Sequence, residues 1–474
     1  MINWHQLQYL KPKEIKKVQD KLIRGFIRNQ IPYHPFYHNI FKKNKIHFSD
    51  IKNTDELIKL PYTNKEDIVP SDKEPKKFLD FVLQPNKVLF RKHARMHQKI
   101  KTIFNKTYLD YEYRPIHIHF TTGRSSNSVP IFYTPYDLQR LKDSGKRMMD
   151  ILNISINGII INSFPYAPHL AFWQTFYAAQ AANLLCLNTG GGKILGTEKI
   201  IKSIESMKAT LLVGMPGYLY HLMRTAKEQK RDFSNLKSII FGGERVPMGL
   251  RKKIRNYGIL MGSKNPNVLS TYAFNEGKVA WVECREESGY HLYPDFEFIE
   301  IVDKNNERVG EDEKGEIVYT SLNWRGSVFL RYKTGDITKG IYYEKCPHCK
   351  RTVPRIDCSI ERNSEYKEFK LSKIKGSFVN LNVFFPLMML HKNIEEWQIE
   401  IKKKNNDPYE LDELIVYIAP SKKANFEQLK KDLKQKIAAE TEVTPEIVKI
   451  ELKELLHRLG METELKERRI VDDR

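Results

Sequence analysis

The chain has 474 residues, enough for a large core and at least one further domain. Hydrophobic residues make up 41% and aromatic residues 11%, and no uninterrupted apolar run approaches the ~20 residues of a bilayer-spanning helix, which excludes a membrane-spanning architecture of that kind. Lys and Arg outnumber Asp and Glu by 79 to 58, and the net charge of +21 suits anionic partners. The basic residues read as dispersed with acidic ones interleaved, so neither a nucleic-acid nor a membrane partner is expected, and a lysine-rich proteome would give the same composition. The start, "MINWHQLQYLKPKE", lacks the basic, apolar and small-residue regions of a secretory signal, so the cytoplasm is the expected location.

Residues 1 to about 115 read as helical and mixed. Asn53, Thr54 and Asp55 are placed to cap a short helix that Pro61 ends, and Thr63 or Asn64 to cap the next. From His117 to about residue 245, short apolar runs ("GIIINSF", "NLLCLN", "ATLLVGM", "SIIFGG") alternate with helical spacing ("AFWQTFYAAQAA", "TEKIIKSIESM"). Strands alternating with helices predict parallel sheets covered by helices. Between about 268 and 356, "KVAWVEC", "HLYPDFEFIEIVD" and "GEIVYTSL", separated by turns at Asn305-Asn306 and Lys314-Gly315, predict an antiparallel β subdomain. After the charged stretch "ERNSEYKEFK", the pattern "WQIEIKKK", "DELIVYIA", "NFEQLKKDLKQKIAAE", "IVKIEL" predicts a small α/β domain behind a hinge. The expected fold class is therefore α/β. A large N-terminal domain over 1–360 carries the sheets and the antiparallel subdomain, and a small mobile α/β domain covers 361–474.

Several segments carry chemistry. In "HFTTGRSSNSVPIFYT", Thr121, Thr122, Gly123, Arg124, Ser125 and Ser126 crowd hydroxyls and a glycine after a strand, a composition able to wrap phosphate oxygens, although no Walker loop is present. Farther on come "TGGGK" (189–193), "VGMPGYLYHL", "FGGERVP" (241–247), "STYAFNEG" (270–277), "RYKTGD" (331–336), "CPHCKRTVPRI" and "KERRIVDDR" (466–474). Singly, each reads as a strand-end turn, a surface loop or a charged tail. Cys346 and Cys349 form a C-x-x-C knuckle, the spacing with which two thiolates hold one Zn²⁺. Cys284 and His291 are the chosen remaining ligands, with His348 and Cys358 as alternatives. Cys186, in an apolar strand, reads as core.

In this order and spacing the motifs resemble the adenylate-forming superfamily (the acyl-CoA synthetase-like enzymes), specifically its phenylacetate-CoA ligase-like branch. The resemblance implies an acid-thiol ligase that uses ATP and Mg²⁺ to convert a small carboxylic acid, aryl or arylacetic, to an acyl-adenylate. The acyl group then passes to a thiol, coenzyme A or the phosphopantetheine of an acidic acyl-carrier protein. It places Thr121, Thr122, Gly123, Arg124 and Ser125 on the β and γ phosphates and Glu276 on Mg²⁺. Asp336 falls on the ribose hydroxyls, and Gly242, Gly243 and Glu244 against adenine beside Thr271 and Tyr272. Lys466 would touch the attacking carboxylate and the α-phosphate. Tyr166, Phe172, Trp173, Phe241 and Ala273 become candidates for the acid pocket, and some members of the branch carry a structural zinc at the cysteines.

The chain departs from the pattern where Ser126 and Asn127 replace a glycine and a lysine, and at the hinge, where Arg362 and Glu365 are the nearest equivalents. The segment around Lys375 and Gly376 resembles the loop that helps form the thiol tunnel. An amine or hydroxyl acceptor, or a non-catalytic nucleotide- or acyl-binding role on the same fold, are the alternative functions. The oligomeric state is open, a homodimer included.

Overall fold

The structure, a computed structural model, describes residues 3–473 apart from 72, 122–127, 244–245, 247, 363–370, 375–376, 381–383, 390, 404–411, 423, 442, 462 and 465–466. The N-terminal region is helical, as its pattern predicts. In the helix Pro12–Asn29 the buried residues Ile15, Gln19, Ile23, Phe26 and Ile27 fall on one face at helical spacing. The two short helices expected after Asn53 and Asn64 are single 3₁₀ turns, Asp55–Lys59 and Lys65–Asp67. The Asn53 carboxamide accepts from the Glu56 amide at 3.0 Å.

The strands β1 (His117–Phe120) and β2 (Pro130–Tyr133) form an antiparallel hairpin. Next come β3 (Ile159–Pro165), β4 (Leu185–Gly190), β5 (Leu211–Gly214), β6 (Ser238–Phe241) and β7 (Asn267–Phe274), all parallel, in the order β4-β3-β5-β6-β7. Neighbouring residues of these strands divide between two apolar clusters. Ile160, Leu211, Ile240 and Leu269 enter one; Ile161, Leu212, Ile239 and Val268 enter the other. Successive side chains point to opposite faces, so the all-apolar runs of the sequence reflect a sheet buried on both sides.

After β7 the chain continues through β8 (Val279–Val282), β9 (Tyr290–His291), β10 (Glu297–Val302), β11 (Gly315–Ser321), β12 (Tyr332–Thr338), β13 (Ile341–Tyr342), β14 (Arg355–Ile356) and β15 (Glu361–Arg362). β8, β9, β14 and β13 extend the large sheet antiparallel from β7, making nine strands. β10, β11, β12 and β15 form a separate four-stranded antiparallel sheet. The run "HLYPDFEFIEIVD" is thus two strands in two sheets, divided by a turn at Pro294 and Asp295. Proline has no N–H for a ladder, which ends pairing there.

A hairpin of β16 (Leu371–Ile374) and β17 (Ser377–Asn380) precedes β18 (Ile394–Lys403), β19 (Asp412–Pro420), β20 (Glu446–Lys449) and β21 (Ile470–Asp473). The last four form a mixed sheet in the order β20-β19-β18-β21, with the helices Phe426–Thr441 and Leu452–Leu459 beside it. Its apolar cluster, built on Trp397, Ile399, Val416 and Leu433, draws only on residues from Phe384 onward. The chain is therefore α/β throughout, a large sheet and its helices followed by a small α/β unit.

Candidate active site

β7 lies at the point where the nine-stranded sheet changes from parallel to antiparallel, and its C-terminal half carries Thr271, Tyr272 and Ala273. Read alone, "STYAFNEG" suggests a surface loop; its ladder partners on both sides make it a strand. In open α/β sheets the crevice beyond the carboxyl ends of the parallel strands is where ligands bind, because backbone groups and loops of adjacent strands converge there.

Gly242 and Gly243 follow β6 at that edge. A side chain at Gly242 would meet Thr271 Oγ1 at 2.7 Å and Phe164 Cζ at 3.0 Å, so only glycine lets this backbone lie so close to β7. Gly243 has φ +83° and open space around it, a conformation that costs other residues strain. Thr271 Oγ1 donates to the Phe241 carbonyl at 3.1 Å and fixes the pair of strand ends.

Across the crevice, Tyr272 donates its hydroxyl to Asp336 Oδ2 at 2.8 Å. Asp336 comes from β12 of the smaller antiparallel sheet, so this bond links the two sheets. The same strand supplies Tyr332, whose hydroxyl donates to Glu276 Oε1 at 2.7 Å. Glu276 sits in the 3₁₀ turn Asn275–Gly277, which is held from two directions. Asn275 Nδ2 donates to the Phe120 carbonyl at 2.8 Å, and its Oδ1 accepts from the Leu170 amide at 3.0 Å. The turn closes on Lys278, in the left-handed region at φ 60° and fully buried. Lys278 Nζ reaches Asp137 Oδ2 at 3.0 Å, and the same carboxylate accepts the amides of Arg325 and Gly326 at 2.7 Å each. Burial pushes the Lys278 ammonium below its ordinary value while Asp137 opposes that shift.

Thr121 closes the base of the β1–β2 connection. Its Oγ1 accepts from the Val129 amide at 3.0 Å and its own amide donates to the Val129 carbonyl at 3.0 Å. Beside it, His117 and His119 meet at 2.9 Å through their Nε2 atoms, and His119 Nδ1 lies 2.9 Å from the Tyr133 hydroxyl. Burial first, then His117, His169 and Lys278, bring His119 down to about 3, so it is neutral at neutral pH. Thr122, Gly123, Arg124 and Ser125, together with Glu244 and Lys466, lie outside the described residues, as do Ser126, Asn127, Glu365, Lys375 and Gly376.

The five acid-pocket candidates separate. Phe172 and Phe241 are buried within the two apolar clusters. Trp173 is half-buried, with its ring 5.1 Å from that of His117. Tyr166 and Ala273 are exposed. The Tyr166 hydroxyl donates to the Asn188 carbonyl at 2.8 Å, and its ring covers Gly190. A cleft opens here, lined by Pro165, Gly190, Gly191, Lys193, Met215 and Tyr218 from the large sheet's edge and by Gly460, Met461 and Glu467 from the C-terminal unit. At Gly217 any side chain would overlap the Glu467 carboxylate, whose nearest oxygen lies 2.1 Å from the Cβ position. Asn275, Tyr332 and the Lys278–Asp137 pair escaped sequence reading; Asn275, Lys278 and Tyr332 lie close in sequence to Glu276 or Asp336, whereas Asp137 meets Lys278 only in the folded chain.

The cysteines form a second centre. The ligand atoms of Cys284, His291, Cys346 and Cys349 all lie within 4.8 Å of one another. Cys284 Sγ and Cys346 Sγ are 3.7 Å apart, against about 3.8 Å for two thiolates on one tetrahedral Zn²⁺. His291 Nε2 is 3.2 Å from Cys349 Sγ, while its Nδ1 is 3.3 Å from the Val282 carbonyl, which accepts the ring N–H and turns Nε2 inward. Cys358 and the exposed His348 are not in this group.

No protein-family model matches the sequence. Curated relatives do. Phenylacetate-coenzyme A ligase of Aromatoleum evansii is 24% identical over 333 residues, covering 69% of this chain and 66% of the relative. The enzymes of the same name from Escherichia coli strain K12 and Thermus thermophilus are each 22% identical, over 73% and 76% of this chain and 70% and 73% of their own lengths. Among solved structures, 2-hydroxyisobutyryl-CoA ligase in the postadenylation state with 2-HIB-AMP matches at 19% identity and TM-score 0.74, covering 99% of this chain and 92% of that one. The same ligase with 2-HIB-AMP and CoA in the thioesterification state matches at TM-score 0.62. The resemblance read from the motifs is borne out: the chain is phenylacetate-CoA ligase-like in sequence and has the adenylate-forming ligase fold. The chain spans about two thirds of the length of the curated relatives it matches.

Proposed function

We propose that the chain activates a carboxylic acid with ATP to an acyl-adenylate and transfers the acyl group to coenzyme A. The observation that carries this reading is the convergence of Gly242–Gly243, Tyr272, Asp336 and Glu276 on one crevice edge, joined by the Tyr272–Asp336 and Tyr332–Glu276 hydrogen bonds. The four curated phenylacetate-coenzyme A ligases add support from sequence.

In this reading Asp336 takes the ribose hydroxyls, since a carboxylate offers two acceptor oxygens to two neighbouring donors. Tyr272 orients Asp336 and presents its ring to the adenine, which lies over the side-chain-free surface of Gly242 and Gly243 with Glu244 and Thr271. Thr121 fixes the base of the loop whose Thr122, Gly123, Arg124 and Ser125 take the phosphates. Glu276, a hard oxygen donor steadied by Tyr332, fits Mg²⁺, which when bound would neutralise charge on the departing pyrophosphate. Lys466 stabilises the charge that develops as the acid attacks the α-phosphate. Residues 1–360 bind nucleotide and acid; residues 361–474 form the lid that rearranges between the two half-reactions. The four-ligand cluster Cys284, His291, Cys346 and Cys349 holds a structural Zn²⁺, because four protein ligands leave no open position for substrate.

The acid is proposed to be aryl or arylacetic, with Tyr166, Trp173 and Ala273 facing it and Phe172 and Phe241 backing them from the core. An acid-dependent pyrophosphate-exchange screen over aryl, arylacetic and aliphatic acids tests activation, and thioester formation with coenzyme A or loaded carrier protein tests transfer. Asp336→Asn is expected to lower exchange by two orders of magnitude or so, since transition-state contacts of this kind are worth on the order of 3 kcal/mol. No exchange with any acid in the native chain would leave only a binding role; exchange without thioester would remove the thiol acceptor.

A further inference from the structure

We propose that the segment from Lys87 to Lys106 is a contact surface for an anionic lipid membrane. Between Phe81 and Leu109 the sequence holds seven Lys or Arg and no Asp or Glu. The dispersal of charge expected from the whole chain fails here. The segment folds as two short helices, Lys87–His93 and Met96–Phe104. Six of the seven cations are exposed, Arg91, Lys92 and Lys101 among them.

The second helix is inverted with respect to a globular fold. Met96, Ile100, Ile103 and Phe104, at i, i+4, i+7 and i+8, share one face, yet they are 73%, 45%, 74% and 85% exposed, while Gln98 is buried. Val88 on the preceding helix is 74% exposed. An amphipathic helix whose apolar face points outward, flanked by Lys and Arg, matches the requirements of the lipid interface: aliphatic and aromatic side chains enter the acyl boundary and cations meet the headgroup phosphates.

Other occupants fit less well. A second copy meeting this face on a twofold axis would bring two sets of cations together without a counter-charge. Nucleic acid would use the cations and leave the apolar row without a partner. A protein partner needs a shape-matched surface of roughly 800 Å², whereas a fluid lipid surface needs no matching relief.

The test uses the full chain in co-sedimentation with phosphatidylcholine vesicles, with and without phosphatidylglycerol, at low and high salt. Binding to the anionic vesicles alone, weakened by salt, is expected. The exposed-site double variant Ile103→Ser/Phe104→Ser should lower partitioning about tenfold, and Arg91→Glu/Lys92→Glu should do the same, with unfolding midpoints unchanged in both. Absence of binding, equal binding to neutral vesicles, or binding unaffected by either variant overturns the proposal. So does a chain that captures an acidic carrier protein through this face and ignores vesicles. None of these outcomes depends on the proposed ligase activity.

Discussion

Glu396 is the group whose removal should be felt most sharply where the C-terminal unit meets the large sheet's helices. It lies on β18 and is 1% exposed, between Arg469 Nη1 at 2.5 Å and Arg224 Nη1 at 3.5 Å. Arg224 comes from the helix Pro216–Glu228 of the large unit and is also 1% exposed. Arg469 belongs to the segment that follows Lys466. It donates to the Trp397 carbonyl at 3.1 Å and, through Nε and Nη2, to both oxygens of Glu467 at 2.9 and 3.0 Å. Burial opposes the Arg469 charge, but Glu396 and Glu467 together raise its pKa.

Glu396→Ala leaves two buried guanidiniums with one carboxylate fewer, a loss of about 3 to 5 kcal/mol for a broken buried pair. Arg224→Leu removes the longer Glu396 contact, a 3.4 Å bond to the Glu395 carbonyl and the stacking over Tyr220, leaving Glu396 paired with Arg469, and should cost about 1 to 2 kcal/mol. The contrast is measurable by urea unfolding. Equal losses in the two variants, or a Glu396→Ala loss below about 1 kcal/mol, would refute the reasoning. Because Arg224 alone of the three lies outside the C-terminal unit, Arg224→Leu should also lower pyrophosphate exchange more than it lowers thioester formation from supplied acyl-adenylate.

Two further predictions concern the folded state. His34, whose Nδ1 accepts from the Tyr37 amide at 3.2 Å, is brought by burial to about 3, as is His119. The unfolded chain takes up these protons near 6.5 and the native state refuses them until about 3. Stability is therefore complete above the unfolded value and falls as pH drops through that window, by about 1.4 kcal/mol per pH unit for each histidine. Urea midpoints measured from pH 7 to pH 5 should show this slope, and His119→Gln should remove one histidine's share. Metal analysis of the purified chain should find one Zn²⁺ per chain, lost in Cys349→Ser. Chelation should lower the thermal midpoint of the native chain and leave that of the variant unchanged.

The division between what was legible in the residues and what was not follows the range of the interactions. The alternation of apolar runs with helical spacing predicted the parallel sheet, because burial on both faces imprints itself on consecutive residues such as Ile160 and Ile161. Motif order carried the resemblance to the phenylacetate-CoA ligases, and the two-residue gap between Cys346 and Cys349 marked two thiols on one tight turn, since such a turn is a local object. The turn chemistry at Asn53 and Asn64 was also visible, although only as caps of short helices rather than as 3₁₀ turns.

Other features required the chain to meet itself. β7 reads as a loop until β6 and β8 pair with it, and the tail after Lys466 reads as solvated charge until Ile470–Asp473 joins β18 as a parallel edge strand. Cys284 and His291 were separated from His348 and Cys358 by the pairing of β9 with β8 and β14, which carries His291 to the knuckle. The Tyr272–Asp336 bond spans 64 positions, and the outward turn of Phe104 appears only once Gln98 is seen to face inward. Periodicity and turn chemistry are properties of neighbouring residues and are written in the sequence; ladder partners, facing charges and the side of a helix left to solvent depend on which distant surfaces the folded chain brings together.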